Sequence, residues 1–502
     1  MEKEFSKKIY GLCNILSAPL DFSKKEVAII LAAGHGKRIK SQKSKMLHSI
    51  WEVPSVERVY NASTAGIPDL NTVIVVGIKA DDVMAVIGKR DNNQFAYQEI
   101  QKGTGHAVQV GLEKISNDHF EGIVYVLPGD MGLLNKETME QFSKNFSDSK
   151  CDMMVLTGIY EGPIELNSYG RILRVKEFDA DSNPSGDDFG KVIEIIEHKD
   201  ILSVKDNELY TVVYNGRKYN FTKNELIEIR EYNSGVYAFR YKKLTELIYT
   251  ISSNNAQNEI YITDLISLFN QKGYSVSAVS PKEQYVLMGF NDKAVLKEME
   301  KVYRHKIYSS LKNIIEIEDP EDFFIDETVL PQIYEMDKKG IPLDIHIGKG
   351  VYIGKGVVLN YNLILKKNVY LKGNIIFGEN VTIWENAHLS CFDEQRFVID
   401  NNVEILWGDI IKGNITIGEY SRIESSVNMT GSDDFPIKIG KNVLVKGTSY
   451  IFGSIIEDDI HIEHSVIIKK HVTRLVKKNG EIQKVKFYLP MPSGIDAVDD
   501  IQ

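Results

Sequence analysis

Three charged side chains, Arg38, Lys45 and Asp130, stand in settings where chemistry on a phosphorylated substrate would use them. The run Leu31-Ala32-Ala33-Gly34-His35-Gly36-Lys37-Arg38 follows directly on the apolar stretch 27–31. Small residues there let the backbone approach a triphosphate closely, and successive N–H groups can cradle its oxygens. Arg38 adds a permanent, planar cation able to fork onto two phosphate oxygens, and Lys45 supplies a second positive charge. Asp130 follows Gly129 at the end of the apolar stretch 122–127, a strand-end carboxylate of the kind that holds Mg²⁺. Displacement at phosphorus needs alignment and charge neutralisation but no protein nucleophile, so this set is chemically sufficient. The loop is not a dinucleotide fingerprint, because position 39 is Ile, and no GKS or GKT of a Walker loop follows it.

The elements that must carry these residues fall into two regions of different period. Between Val27 and about residue 285, apolar runs at 27–31, 72–76, 122–127 and 153–157 alternate with helix-like stretches. Near-continuous apolar runs suit strands buried on both faces, and their spacing suits crossover helices. The expectation is an open α/β sheet that holds its ligand beyond the carboxyl ends of the strands. Residues 291–312 have helical spacing. Beyond them Ile347, Ile353, Leu359, Leu365, Leu371, Phe377, Ile383 and Leu389 recur every six residues, and the phase resumes at Ile417 and again at Ile439. That is the hexapeptide period of a parallel β-helix, whose stacked coils bury what one coil cannot. The segment CFDEQRF (391–397) interrupts it.

The expected organisation is an N-terminal extension (1–24), an α/β domain (25–288), a linker helix and connection (289–340), a β-helix (341–475) and a tail (476–502). Residues 179–188, polar and turn-rich, and 203–230 read as insertions. The second contains YTVVYNGRKYNFT, a hairpin around Asn215-Gly216, which suits a type I′ turn.

Composition narrows the partners. A net charge of −10 argues against bulk binding to nucleic acid or to an anionic membrane, so any phosphate site is a local cationic pocket. The three cysteines, Cys13, Cys151 and Cys391, form no CxxC pair, which fits a reducing cytoplasm and no zinc site. The first 24 residues mix acids and bases without the apolar run of a secretory signal, and no segment has transmembrane length.

The stretch LAAGHGKRIKSQKSKMLH resembles the signature of bacterial N-acetylglucosamine-1-phosphate uridyltransferases, L-A-A-G-x-G-x-R with a following Lys. Further likenesses follow in the family's order: Gln98 to Ala107, Gly129-Asp130, Tyr169-Gly170-Arg171-Ile172, Ile196 to Asp200, Asn233-Ser234-Gly235, and Asn254 to Glu259. The resemblance implies a Rossmann-like nucleotidyltransferase domain followed by a left-handed β-helix of hexapeptide repeats. It also implies roles. Arg38 and Lys45 would be catalytic. Leu31, Ala32, Ala33, Gly34, Gln98, Gly103 and Thr104 would hold UTP. Gly129, Gly170, Glu197, Asn233 and Asn255 would contact a sugar 1-phosphate, and Asp130 and Asn255 would bind Mg²⁺. Without the resemblance Asn255 reads as a turn or cap residue, and His106 and His198 read as structural.

The chain departs from the family at Pro128, where a Tyr commonly precedes Gly-Asp. This bears on the identity of the sugar. The related bifunctional proteins also acetylate glucosamine 1-phosphate in the β-helix. Their Arg-Pro-Gly, Ala-Gly-His and Asn-Tyr-Asp-Gly markers are absent after residue 340, so the β-helix here is expected to be an assembly module forming a homotrimer. Two other readings remain: a nucleotidyltransferase for a different sugar phosphate, and a silent regulatory protein that binds a nucleotide sugar.

Overall fold

The computed structural model describes residues 2–34, 36–115, 120–253 and 259–489, and the chain divides into two compact units, Met1–Glu300 and Lys301–Gln502. No helix among the described residues is long and apolar enough to cross a membrane.

The first unit is built on one mixed sheet. Its spatial order is Val276–Val279, Met153–Ile159, Glu231–Arg240, Ile123–Pro128, Glu26–Ala32, Asn71–Val76 and Asn93–Tyr97. Glu231–Arg240 runs antiparallel to both neighbours, and the other strands of this path pair in parallel. Alternate residues of the central strands feed opposite layers. Ala28, Ile30 and Ile74 meet helices Ser55–Gly66 and Lys136–Ser149, while Val27, Ile29 and Val73 meet helices Thr104–Leu112 and Asp264–Gln271. Both faces are therefore apolar, which is why these strands read as continuous hydrophobic runs. Each fully buried Val or Ile adds about 1.5–3 kcal/mol of transfer free energy.

The segment 1–24, read as an extension, is part of this unit. Helix Glu2–Leu16 buries Ile9 and Cys13 completely or nearly so in the same core layer as Ile74. The two insertions form one layer of their own. Tyr210–Tyr214 pairs with Arg217–Phe221, and Asn215 and Gly216 both take positive φ (47° and 76°), as the turn requires. The 179–188 loop docks on that hairpin: the Ala180 N–H donates to Lys218 O (2.7 Å) and the Asn215 amide to Asp188 (3.1 Å). Beneath the hairpin, Val212, Tyr219 and Phe221 pack with Leu173 and Ile193.

The second unit is a three-sided parallel β-helix of nine-, eight- and six-stranded ladders. Ile347, Leu365, Ile383, Ile405, Ile423 and Val445 stack in register and are wholly buried. Asn362, Asn380 and Asn402 take positive φ at one corner, and their side-chain amides hydrogen-bond from coil to coil. Asn362 and Asn380 are 18 residues apart, whereas Asn380 and Asn402 are 22 apart. The longer coil contains the 391–397 interruption, where Phe392 is extruded into solvent before Phe397–Ile399 rejoins its ladder.

The ladders begin before residue 341. Ile317 pairs with Ile347 and Phe323 with Val351, inside the segment expected to be linker and connection. Helix Leu330–Asp337 interrupts these first coils and hides the six-residue phase. Helix Lys293–Leu311 does form where its spacing predicts. At the other end Val485–Lys486 still pairs with Ile462–Glu463, so the repeat reaches into the expected tail. On the outer face Phe324, Tyr352, Tyr370 and His388 make one continuous ring stack, with centroids 4.7, 4.6 and 4.5 Å apart.

Candidate functional site

The carboxyl ends of Glu26–Ala32 and Ile123–Pro128 lie side by side, with Leu31 opposite Pro128. This register brings the small-residue loop and Gly129-Asp130 together, and the Gly129 N–H donates to Leu31 O (3.0 Å). Leu31, Ala32, Ala33 and Gly34 lead out of the strand, and Gly34 is exposed. Gly36 lies on the Lys45 stem so closely that a Cβ there would stand 2.8 Å from Lys45 Cβ. Lys45 is thereby held 7 % exposed, and its ammonium forms an ion pair with Asp130. Arg38, in the single turn Lys37–Ile39 that ends the loop, is exposed.

The same ammonium donates to Asn291 Oδ1 (2.8 Å) and lies 5.6 Å from the centre of the Phe290 ring. Sequence reading did not single out Asn291. Its one local signal is the Gly289-Phe290-Asn291-Asp292 run that precedes helix Lys293–Leu311. Asp130 and Asn291 thus aim a carboxylate oxygen and an amide oxygen at the Lys45 ammonium beside the loop. Asn255, expected as the second metal ligand and a sugar contact, lies outside the described residues.

The segment after Asn93–Tyr97 forms a second wall. Gln98 is buried, and its amide reaches Gly103 O (3.3 Å) and the His106 ring (2.9 Å), which gives His106 a structural partner. The Gly105 N–H donates to Ile260 O and the Ile260 N–H to Lys102 O (both 2.8 Å). Thr104, at the start of its helix, accepts from the Ile262 N–H (3.3 Å). The Gln101 amide donates to Ala33 O, joining this segment to the small-residue loop.

A third group gathers around Gly170. The Asn233 N–H donates to Gly170 O (2.9 Å), and a Cβ on Gly170 would stand 3.2 Å from the Glu197 carboxylate. Burial, with Asp200 and Asp264 adding repulsion, pushes the Glu197 carboxyl up to about 7, and Asp264 is pushed to about 6. Tyr169 stacks on Tyr232 at 4.5 Å, and burial and the charge of Asp130 raise its hydroxyl, so this group borders Asp130. Arg171 is wholly buried and bonds to the Asn167 side chain (3.0 Å), Asn167 O (2.8 Å) and Tyr169 O, which fixes the turn presenting Gly170. Gly235 lies against Pro128, whose Cγ is 2.9 Å from where a Cβ on Gly235 would stand. Pro128 therefore packs directly against the bulge at Asn233-Ser234-Gly235 within strand Glu231–Arg240.

The histidines of the β-helix are engaged elsewhere. His388 ends the ring stack, His471 lies 3.1 Å from Glu457, and His464 bonds to Thr448 (2.9 Å). No group of three or more His, Cys, Asp or Glu residues among those described could hold a metal ion.

Residues 28–178 match the family described as the MobA-like NTP transferase domain. The bifunctional protein GlmU of Acetivibrio thermocellus is 35 % identical over 305 residues, 60 % of this chain and 57 % of that protein. That of Caldicellulosiruptor saccharolyticus is 33 % identical over 271 residues, 54 % of this chain and 50 % of its own length. The chain thus spans between half and three fifths of the length of these curated relatives. A solved UDP-glucose pyrophosphorylase complexed with UDP-glucose aligns at a TM-score of 0.41 and 16 % identity, over 56 % of this chain and 99 % of that one, too slight a likeness to build on. The first unit is a Rossmann-like nucleotidyltransferase domain akin to that of the GlmU proteins.

Proposed function

We propose that this relative of the GlmU proteins transfers a uridylyl group from UTP to N-acetylglucosamine 1-phosphate, forming UDP-N-acetylglucosamine and pyrophosphate. The observation that carries the reading is the Lys45 ammonium bound to both Asp130 and Asn291 beside the loop Leu31–Arg38. A sugar-phosphate oxygen attacks the α-phosphorus, the bond to the bridging oxygen breaks, and pyrophosphate leaves. Backbone N–H groups of the loop would cradle the triphosphate, and Arg38, free in solvent, would fork onto the departing phosphates. Lys45, already desolvated, would meet the α-phosphate without the cost of dehydrating a surface cation.

Asp130 and Asn291 offer hard oxygens of the kind Mg²⁺ prefers, so the donor types fit; both oxygens here bind the Lys45 ammonium, which Mg²⁺ would displace toward the phosphates. Bound there, Mg²⁺ would neutralise phosphate charge and orient the α-phosphate. Gln98, Gly103 and Thr104 would hold the nucleoside, and Gly170, Glu197 and Asn233 the sugar. A different sugar 1-phosphate is the second reading, favoured by the contact of Pro128 with the bulge at Asn233-Ser234-Gly235. A silent binding protein is disfavoured by Lys45, Asp130 and Asn291 standing together beside a loop that also carries Arg38.

Pyrophosphate release tests the reading, measured with a panel of nucleoside triphosphates and sugar 1-phosphates, with Mg²⁺ and with EDTA. The expected result is metal-dependent release with UTP and N-acetylglucosamine 1-phosphate as the preferred pair. Preference for another sugar selects the second reading. Release that persists in EDTA removes the metal, and no release with any pair removes the transferase.

A further inference from the structure

Helix Glu2–Leu16 and the residues after it are fastened to the edge strand of the sheet. Ile9 and Cys13 lie in the core, and Cys13 Sγ is 3.7 Å from Met84 Sδ. Just beyond the helix, the Ser17 hydroxyl accepts the Phe95 N–H (2.9 Å) and the Ala18 N–H donates to Asn93 O (2.8 Å). These bonds occupy backbone groups that an edge strand would otherwise present to water. The same helix face, continued by one turn, carries Ser6, which is 9 % exposed and donates to Glu99 Oε1 (2.6 Å). Tyr10 meets the Tyr97 ring edge-on at 5.3 Å. Glu99 itself is exposed and sits between Gln98 and Gln101, the two residues that tie this segment to Gly103 and to Ala33. Ile260 grips the far side through Lys102 and Gly105.

We infer that Ser6 is a positioning residue: through Glu99 the N-terminal helix sets the conformation of residues 98–104, and with it the affinity for the nucleoside half of the substrate. The inference rests on the reading of that segment as the nucleotide wall. Phosphate affinity depends less on this helix, because the small-residue loop is shaped chiefly by Gly36 on Lys45 and by Gly129 on Leu31, with the Gln101 bond to Ala33 O as its link to residues 98–104. Helix 2–16 therefore tunes base and ribose recognition more than triphosphate recognition.

The experiment is calorimetric titration of UTP, and separately of inorganic tripolyphosphate, both with Mg²⁺, into the full-length chain and into Ser6→Ala and Ser6→Thr. A lost hydrogen bond of this kind corresponds to about a two- to tenfold change in Kd. Ser6→Ala is expected to weaken UTP by that factor, weaken tripolyphosphate by clearly less and keep the melting temperature, with Ser6→Thr restoring UTP affinity through its hydroxyl. Unchanged UTP affinity in Ser6→Ala overturns the inference, and so does equal weakening of both ligands, which marks a general loss of structure. If the wild-type chain binds tripolyphosphate but not UTP, the nucleotide reading of residues 98–104 fails first and the inference falls with it.

Discussion

Arg38 and Lys45 are both cations at one loop, yet their surroundings differ: Lys45 is buried against Asp130 and Asn291, and Arg38 projects into solvent. Removing Arg38 should therefore leave the fold untouched and act on the reaction. Arg38→Ala is expected to lower kcat by about 10²–10³, the usual cost of one donor to developing charge, at an unchanged melting temperature. Turnover like the wild type's would take Arg38 out of the mechanism. Glu197 makes a pH-dependent prediction. Its carboxyl is raised from 4.5 to about 7 in the fold, so the protonated form is the one the fold prefers. The stability this group contributes is complete below about pH 4.5, falls as pH rises to about 7, and stays lost above that. Glu197→Gln carries no charge at any of these pH values. Its melting temperature should match the wild type's near pH 4.5 and gain on it up to about pH 7, with no further gain beyond. A gap that does not vary with pH would contradict the burial of this carboxyl.

At the scale of elements, what could be read from the sequence depended on whether the partner lay nearby in the chain. Strands with apolar runs, the Asn215-Gly216 turn and the six-residue period are local patterns, and each element stands where its pattern predicts. The strand-end placement of Asp130 was legible for the same reason. Asn291 was not, because its bond to Lys45 joins residues 246 apart and no local pattern records it. The first coils of the β-helix were hidden because helix Leu330–Asp337 breaks their phase, and the packing of helix Glu2–Leu16 is a tertiary fact. The corner asparagines yield a test of the repeat itself. Asn380 holds φ at 57° and bonds to both Asn362 and Asn402. Left-handed backbone costs a residue with a Cβ roughly 1–2 kcal/mol unless its side chain bonds locally. Asn380→Ala should therefore destabilise the second unit by about that amount in urea unfolding, and Asn380→Gly by less, since glycine is free of the Cβ clash. Equal losses would assign the cost to the amide ladder alone.

At the scale of the whole molecule, each unit has its own core, and the β-helix offers an outward column of stacked rings from Phe324 to His388. The proposal of a homotrimer built through this unit predicts a particle of three chains in light scattering at micromolar concentration, and a monomer there would refute it. The order of the second unit has a mechanical side as well. Between Ile347 and Ile462 the rungs of one ladder follow one another at short intervals, 18 residues from Ile347 to Leu365 and 17 from Val445 to Ile462, and only the end rungs need more, as from Ile317 to Ile347. Closing so short a loop costs much the same at each interior coil, so folding can nucleate there and zip outward in both directions. The reverse holds under tension. Pulled from its two ends, the unit should peel one coil at a time, each rupture releasing roughly 60 Å of extended chain.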